Sequence, residues 1–205
     1  MDPVIANIMK AASDNPDYQA LANYLISRRS FPDVQTAYMR SLGRFTSPGF
    51  FSDGSIPRRG IVSLNANAYP SASEEASNTL SHELTHALEK QLINQYYEVK
   101  NKKSKTDLDR QFMDNFQKII GSTEPEINKW LKTVAPDFAK KEEGYRATGK
   151  EALAFGVANS IFPKMDENSF GAAPAHIDPT IATTLMLLLD QAQRVQNQNI
   201  APQGR

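Results

Sequence analysis

Two histidines and a glutamate stand close together near the middle of the chain, in the order His82, Glu83 and His86, which is the pattern H-E-x-x-H. On a helix, residues four apart lie one turn above each other on the same face, so the two imidazoles can bind one ion. Glu83 then lies beside them, where its carboxylate can take a proton from a water molecule at the metal. The pattern therefore predicts a hydrolytic zinc (Zn2+) site.

A hydrolytic zinc site needs a third protein ligand and one open position. Glu151 is the first candidate, because it opens the apolar, small-residue segment 151–158, where a buried carboxylate is costly unless it is paired or metal-bound. Its alternative role is that of an exposed residue in the first turn of a helix. His176, the only other histidine, lies in a predicted loop, where it could replace Glu151, stabilise an oxyanion as a second catalytic residue, or be a plain surface residue.

The helix that must position the motif is predicted to run from about Ala72 to about Val99, roughly 40 Å. Apolar residues recur along it every four positions, at Ala76, Leu80, Leu84 and Leu88. The turn from His82 to Leu84 is about 200°, so the leucines face away from the histidines. We expect one face of this helix to pack in the core and the opposite face to open on a cleft.

The elements around this helix follow from periodicity and from turn residues. Apolar and polar residues alternate from Ile61 to Ala68, and this period of two predicts a strand. The first forty residues have helical spacing, which Phe31-Pro32-Asp33 interrupts and which resumes from Val34 to Leu42. Phe50-Phe51 is a candidate short strand in a segment rich in Gly, Pro and Ser. Further helices are predicted over Thr106–Ile120, Glu126–Val134, part of Gly144–Phe162, and Thr180–Gln196.

Together these elements predict an α+β fold, predominantly α, with a small strand region packed beside the long helix and a helical second half. We divide the chain into N-terminal helices over residues 1–42, an appendage or packed on the domain, a main domain over residues 43–196, and a polar tail over residues 197–205.

Composition excludes several classes of partner. Lys plus Arg and Asp plus Glu both number 23, so no net field attracts nucleic acid or an anionic membrane. The basic run Lys100 to Lys105 has no interleaved aromatic residues and indicates a solvated loop. No cysteine is present, and the longest apolar run, Leu185 to Leu189, is too short to span a membrane. Without a basic cluster early in residues 1–12, we expect no signal peptide and a soluble location, in the cytoplasm or within a virion or other assembly.

The segment His82 to Leu88, followed downstream by Glu151-Ala152-Leu153-Ala154, resembles the gluzincin branch of the zinc metallopeptidases over about residues 60–160. The longer metzincin pattern is excluded, because Glu89 and Leu92 stand where it requires glycine and histidine. The resemblance implies a zincin-like fold in which a strand before the active helix binds extended substrate. It also implies that a glutamate on a later helix completes the metal site.

The resemblance extends to residues that would bind substrate. Asn67-Ala68-Tyr69 is similar to the Asn-Ala-aromatic segment with which such enzymes hold the substrate backbone. Tyr145 and Arg146, which lie just before the predicted helix of Glu151, are further candidates to bind the oxyanion, and Arg146 could equally pair with Glu142 or Glu143. One position departs from the family. Several gluzincins carry an aspartate four residues after the third ligand to orient a histidine, but this chain has Phe155 there. Asn159 or a backbone carbonyl would have to orient the imidazole instead.

These residues predict a zinc-dependent peptidase that acts on a peptide or protein, with Glu83 as general base and the substrate added as a strand to Ile61–Ala68. The competing hypothesis is a structural or adaptor protein with a structural or vestigial metal. Its motivation is the polar tail Asn197 to Arg205, which has a disorder-prone composition and which a partner in an assembly could hold. Short zincin-like domains are also similar to pieces of bacteriophage and mobile-element proteins.

Overall fold

A computed structural model describes residues 2–47, 59–118 and 179–200, together with Ala154, Val157 and Ala158. Most of these residues are helical and the remainder form one small sheet, which confirms the α+β, mainly helical class. The elements are α1 (Pro3–Ala12), α2 (Pro16–Ser27), β1 (Asp33–Ala37), β2 (Gly43–Thr46), β3 (Ile61–Asn65), α3 (Glu74–Lys100), α4 (residues 107–118) and α5 (Pro179–Ile200).

The first three helices begin at capping residues that are visible in the sequence. The Asp2 carboxylate accepts from the Val4 N–H, and the Asn15 side chain accepts from the N–H groups of residues 17 and 18; each cap is followed by a first-turn proline. Ser73 accepts from the Ala76 N–H and starts α3. The predicted extent of this helix, from about Ala72 to about Val99, is confirmed to within two residues.

The sheet has three strands in the order β1-β3-β2. β1 pairs with β3 in parallel and β2 pairs with β3 in antiparallel orientation, so that Val34 and Phe45 both lie opposite Val62. The prediction of a helix over Val34 to Leu42 is wrong, because Asp33–Ala37 is a strand. Pairing with the buried strand β3 outweighs the weak helical spacing of this segment.

The core forms around α3. Its leucine stripe is buried as predicted. Helices α1 and α2 and strands β2 and β3 pack on α3, and α5 packs on α2. The fully buried side chains at these contacts include Ile5, Ile8, Leu21, Tyr24, Leu25, Leu64, Leu80, Leu84, Leu88, Leu185 and Leu188. Helices α1 and α2 thus share one core with the motif helix, and β1 shares one sheet with β3.

The second half of the chain agrees with prediction where it is described. Residues 107–118 are helical within the predicted Thr106–Ile120, and α5 runs four residues beyond the predicted end at Gln196. Phe50-Phe51, Glu126–Val134 and the tail beyond residue 200 lie outside the described residues. Across the ranges that the structure describes, no helix combines the length and apolar character needed to cross a membrane.

Candidate metal site

The two histidines of the motif come together on successive turns of α3. The Nε2 atoms of His82 and His86 are 3.3 Å apart. Their ring centroids are 5.0 Å apart and the ring planes are nearly perpendicular, at 83°. His82 is buried and His86 is half-buried. Both rings therefore direct the same nitrogen to one point beside the helix.

This separation fits chelation of one zinc ion. Two nitrogens at the usual zinc distance of about 2.0–2.1 Å, at a tetrahedral angle, are about 3.3–3.4 Å apart. A neutral imidazole pair could hold the same distance through one N–H···N hydrogen bond, which is long for a bond of this type. The donor set and its spacing therefore match a divalent cation that prefers nitrogen ligands.

Glu83 is buried beside the histidines, with 7% of its surface exposed. Its carboxylate lies against the first residue of β2, because a Cβ added to Gly43 would be 2.8 Å from Glu83 Oε1. The negative charge of Glu83 also acts on Tyr69. The Tyr69 hydroxyl is 2.7 Å from Thr79 Oγ1. The pKa of Tyr69 is raised by burial first and further by the negative charges of Glu75 and Glu83, against the lowering effect of the Thr79 hydrogen bond.

Polar residues around the motif are buried on nearly every side of α3. They are Ser77, Asn78, Thr79, Ser81, His82, Glu83, Thr85 and Glu89. Two of the hydroxyls bond within the helix, Ser81 to the Ser77 carbonyl and Thr85 to the Ser81 carbonyl. His82 and Glu83 are 9% and 7% exposed, so little of either side chain reaches the surface. The predicted cleft beside them stays a prediction. Burial of so many polar groups is costly and is typical of a functional site.

The sequence interpretation missed Glu89, which is 7% exposed. It lies seven residues after His82 and three after His86, and helical spacing places all three on one face of α3. Long side chains on a helix usually lean toward its N-terminus, which is the direction of His86 from Glu89. The i, i+4, i+7 spacing was the available signal; it makes Glu89 a candidate to orient the His86 ring.

The two residues predicted as third ligand, Glu151 and His176, lie outside the described part of the chain. Within the described ranges, no cluster of three His, Asp or Glu side chains has the arrangement of a metal site. Glu151, His176, Tyr145, Arg146 and Asn159 are not among the described residues, so their predicted roles stay predictions.

Three residues of the segment that begins at Glu151 are nevertheless described by the structure. Ala154, Val157 and Ala158 are helical, and they are buried. Val157 belongs to the same core as α3. This agrees with the expectation that a buried, small-residue helix follows Glu151.

The predicted substrate residues lie differently from expectation. β3 ends at Asn65, and residues 66–68 form a turn in which Asn67 and Ala68 are exposed. The Asn65 side chain ends the strand by accepting from the Asn67 N–H. The prediction that substrate adds as a strand to β3 is wrong, because β3 is the central strand and both of its edges pair with β1 and β2. Substrate contact by Asn67 and Ala68 stays a prediction.

No family model matches the chain, and neither does any curated protein or solved structure.

Proposed function

We propose that the protein is a zinc-dependent peptidase with a zincin-like site of the gluzincin kind. The observation that carries this proposal is the 3.3 Å separation of the His82 and His86 Nε2 atoms, with the Glu83 carboxylate buried beside them. Zinc would be held by His82, His86 and a third residue, for which Glu151 is the first candidate. A site with these three ligands would keep the open position that hydrolysis requires.

The chemistry divides between the metal and Glu83. When bound, zinc lowers the pKa of water and polarises a carbonyl group. Glu83 takes the proton from the attacking water and afterwards delivers it to the leaving amine. Its burial between α3 and β2 keeps bulk water from competing for the carboxylate and holds it on the histidine side of the helix.

Strand β2 is the best candidate to hold an extended substrate. The Leu42 carbonyl accepts a hydrogen bond from the Asn65 N–H. In an antiparallel pair every second residue is hydrogen-bonded to the partner strand, so the backbone N–H and C=O groups of Gly43 and Phe45 point away from β3, toward the other edge of β2. Among the described residues, no strand pairs with that edge. A peptide added there as a fourth strand would run beside Glu83.

The proposal is tested by incubating the purified, zinc-loaded chain with casein and with a mixed peptide library. We expect cleavage that stops when zinc is removed with EDTA and returns when zinc is added back. Cleavage that EDTA does not affect would contradict metal-dependent hydrolysis, and a zinc-loaded chain without any cleavage would contradict the enzymatic role.

The burial of the site favours a second candidate, a structural or adaptor protein in a larger assembly, including one of viral type. Structural zinc sites are closed by protein ligands, and His82 and Glu83 are only 9% and 7% exposed. In this case chelation would unfold the chain, and no peptide would be cleaved under any condition. The same EDTA experiment, followed by circular dichroism, separates the two functions.

The third ligand gives a separate prediction. Glu151→Ala should lower the zinc content from about one per chain and weaken zinc affinity strongly, because two imidazoles alone hold the ion poorly. Zinc is measured by atomic absorption after gel filtration, with Glu143→Ala as a control for loss of a nearby charge. Unchanged zinc in Glu151→Ala, together with lost zinc in His176→Ala, would assign the ligand to His176.

A further inference from the structure

Gly43 begins β2 at a point where no side chain fits. A Cβ at this position would be 2.7 Å from Thr79 Cγ2, 2.8 Å from Glu83 Oε1 and 2.9 Å from Glu83 Cγ. These separations are shorter than real Cβ contacts, so an alanine here would have to displace its neighbours. The φ angle of Gly43 lies outside the left-handed region, so the requirement for glycine is one of space and not of backbone conformation.

The backbone at Gly43 is itself held in place. The buried Asn65 side chain donates from Nδ2 to the carbonyl oxygens of Met39 and Ser41, at 2.8 and 3.0 Å. The Asn65 N–H donates to the Leu42 carbonyl at 2.9 Å. Three hydrogen bonds from one residue thus fix the loop that leads into Gly43. These bonds hold the backbone that contacts Glu83 in place.

The other contact of Gly43 is fixed as well. Thr79 lies four residues before Glu83, so both side chains stand on one side of α3. The Tyr69 hydroxyl and Thr79 Oγ1 are 2.7 Å apart and both residues are buried. This hydrogen bond holds the threonine side chain with its methyl group toward Gly43.

We propose that Gly43 is a positioning residue, which sets the place of the Glu83 carboxylate by direct contact. Thr79, held by its hydrogen bond to Tyr69, limits the space on the other side of Gly43. The inference rests on the proposed function, in which Glu83 transfers the proton. A carboxylate that must face the attacking water on one side and the leaving amine afterwards tolerates little displacement. A shift of about 1 Å at a reacting group costs on the order of 100-fold in rate.

The first test is Gly43→Ala. We expect kcat to fall on the order of 100-fold, by the cost of misplacing the carboxylate, with zinc content unchanged and KM altered far less. The double variant Gly43→Ala with Thr79→Ser should regain a substantial part of kcat. Serine lacks the methyl group that the new Cβ meets and keeps the hydroxyl for Tyr69. Wild-type kcat in Gly43→Ala would overturn the inference.

Gly60→Ala is the matched control, because Gly60 also has no room for a Cβ. The added carbon would meet the Phe45 ring and the Thr46 carbonyl oxygen, toward the other end of β2 and away from Glu83. We expect Gly60→Ala to lower the melting temperature while kcat stays within a few-fold of wild type. An equal loss of kcat in the Gly43 and Gly60 variants would show that general damage to the sheet is the cause and would overturn positioning.

Thermal unfolding separates failure of this inference from failure of the proposed function. Gly43→Ala should lower the melting temperature, and Thr79→Ser should lower it less in the Gly43→Ala background than in wild type. This coupling requires no catalysis. If the wild-type chain cleaves nothing, the peptidase proposal fails. If Thr79→Ser lowers the melting temperature equally in both backgrounds, the proposed contact at Gly43 is wrong, whether or not the chain is an enzyme.

Discussion

Glu83→Gln should lower peptidase turnover by about 10²–10⁴-fold, the usual contribution of a general acid-base residue. The glutamine side chain has nearly the same size as glutamate, so it fits the space against Gly43 and Thr79. It cannot take a proton from water. Zinc should stay bound at wild-type stoichiometry, because Glu83 is not among the proposed ligands. Steady-state kinetics on one peptide, with zinc content measured on the same sample, check both parts.

Glu98→Gln is the control for this substitution. It makes the same chemical change on the same helix, but Glu98 is largely exposed and pairs with Arg28 on the surface. An exposed pair contributes at most about 1 kcal/mol to stability, so the variant should fold and keep wild-type turnover. Undiminished turnover in Glu83→Gln would remove Glu83 from the reaction and leave the metal as the sole source of activity.

The second large effect is expected from His86→Ala, which should abolish tight zinc binding. At a zinc concentration about 1,000 times the dissociation constant, binding to the folded state adds about 4 kcal/mol to the free energy of unfolding. For a chain of this size that corresponds to roughly 10 °C in melting temperature. Wild type should show this increase when zinc is added to the stripped protein, and His86→Ala should show none. His86 is half-buried, so its truncation disturbs packing less than truncation of His82.

Gln91→Ala serves as the control in the same melting experiment. Gln91 is half-buried on the same helix, but helical spacing places it on the side opposite His82. Its variant should keep the whole zinc-dependent increase. A zinc-dependent increase that survives in His86→Ala would mean that the ion binds elsewhere in the chain.

The parts of this structure that depend on local sequence could be predicted. The extent of α3 follows from Ser73 as cap and from the leucine stripe, and the meeting of His82 with His86 follows from helical spacing alone. The prediction failed where pairing between distant segments decides. Val34 to Ala37 has weak helical spacing but becomes a strand by pairing with β3. The Asn65 side chain at the end of β3 also donates to carbonyl groups more than twenty residues earlier, and no local pattern predicts these bonds.

Burial of the motif was the other feature that the sequence could not give. Helical spacing places His82 on the side away from the leucines and Glu83 at the border between the two sides, where an amphipathic helix is at least partly exposed. Contact with Gly43 reverses this for Glu83, and a glycine in a turn-rich segment carries no signal of that role. The Tyr69–Thr79 hydrogen bond is similarly invisible in the sequence, since the two residues belong to a loop and a helix whose packing is tertiary.

Zinc-edge X-ray absorption on the purified, zinc-loaded chain tests the central claim most directly, because it reports the atoms around the ion. We expect one zinc per chain, coordinated by two imidazole nitrogens at about 2.0–2.1 Å and by oxygen ligands in the remaining positions. The His86→Ala sample should lose the two-imidazole signature. A chain that stays metal-free in excess zinc, or an ion surrounded by oxygen alone, would contradict the account.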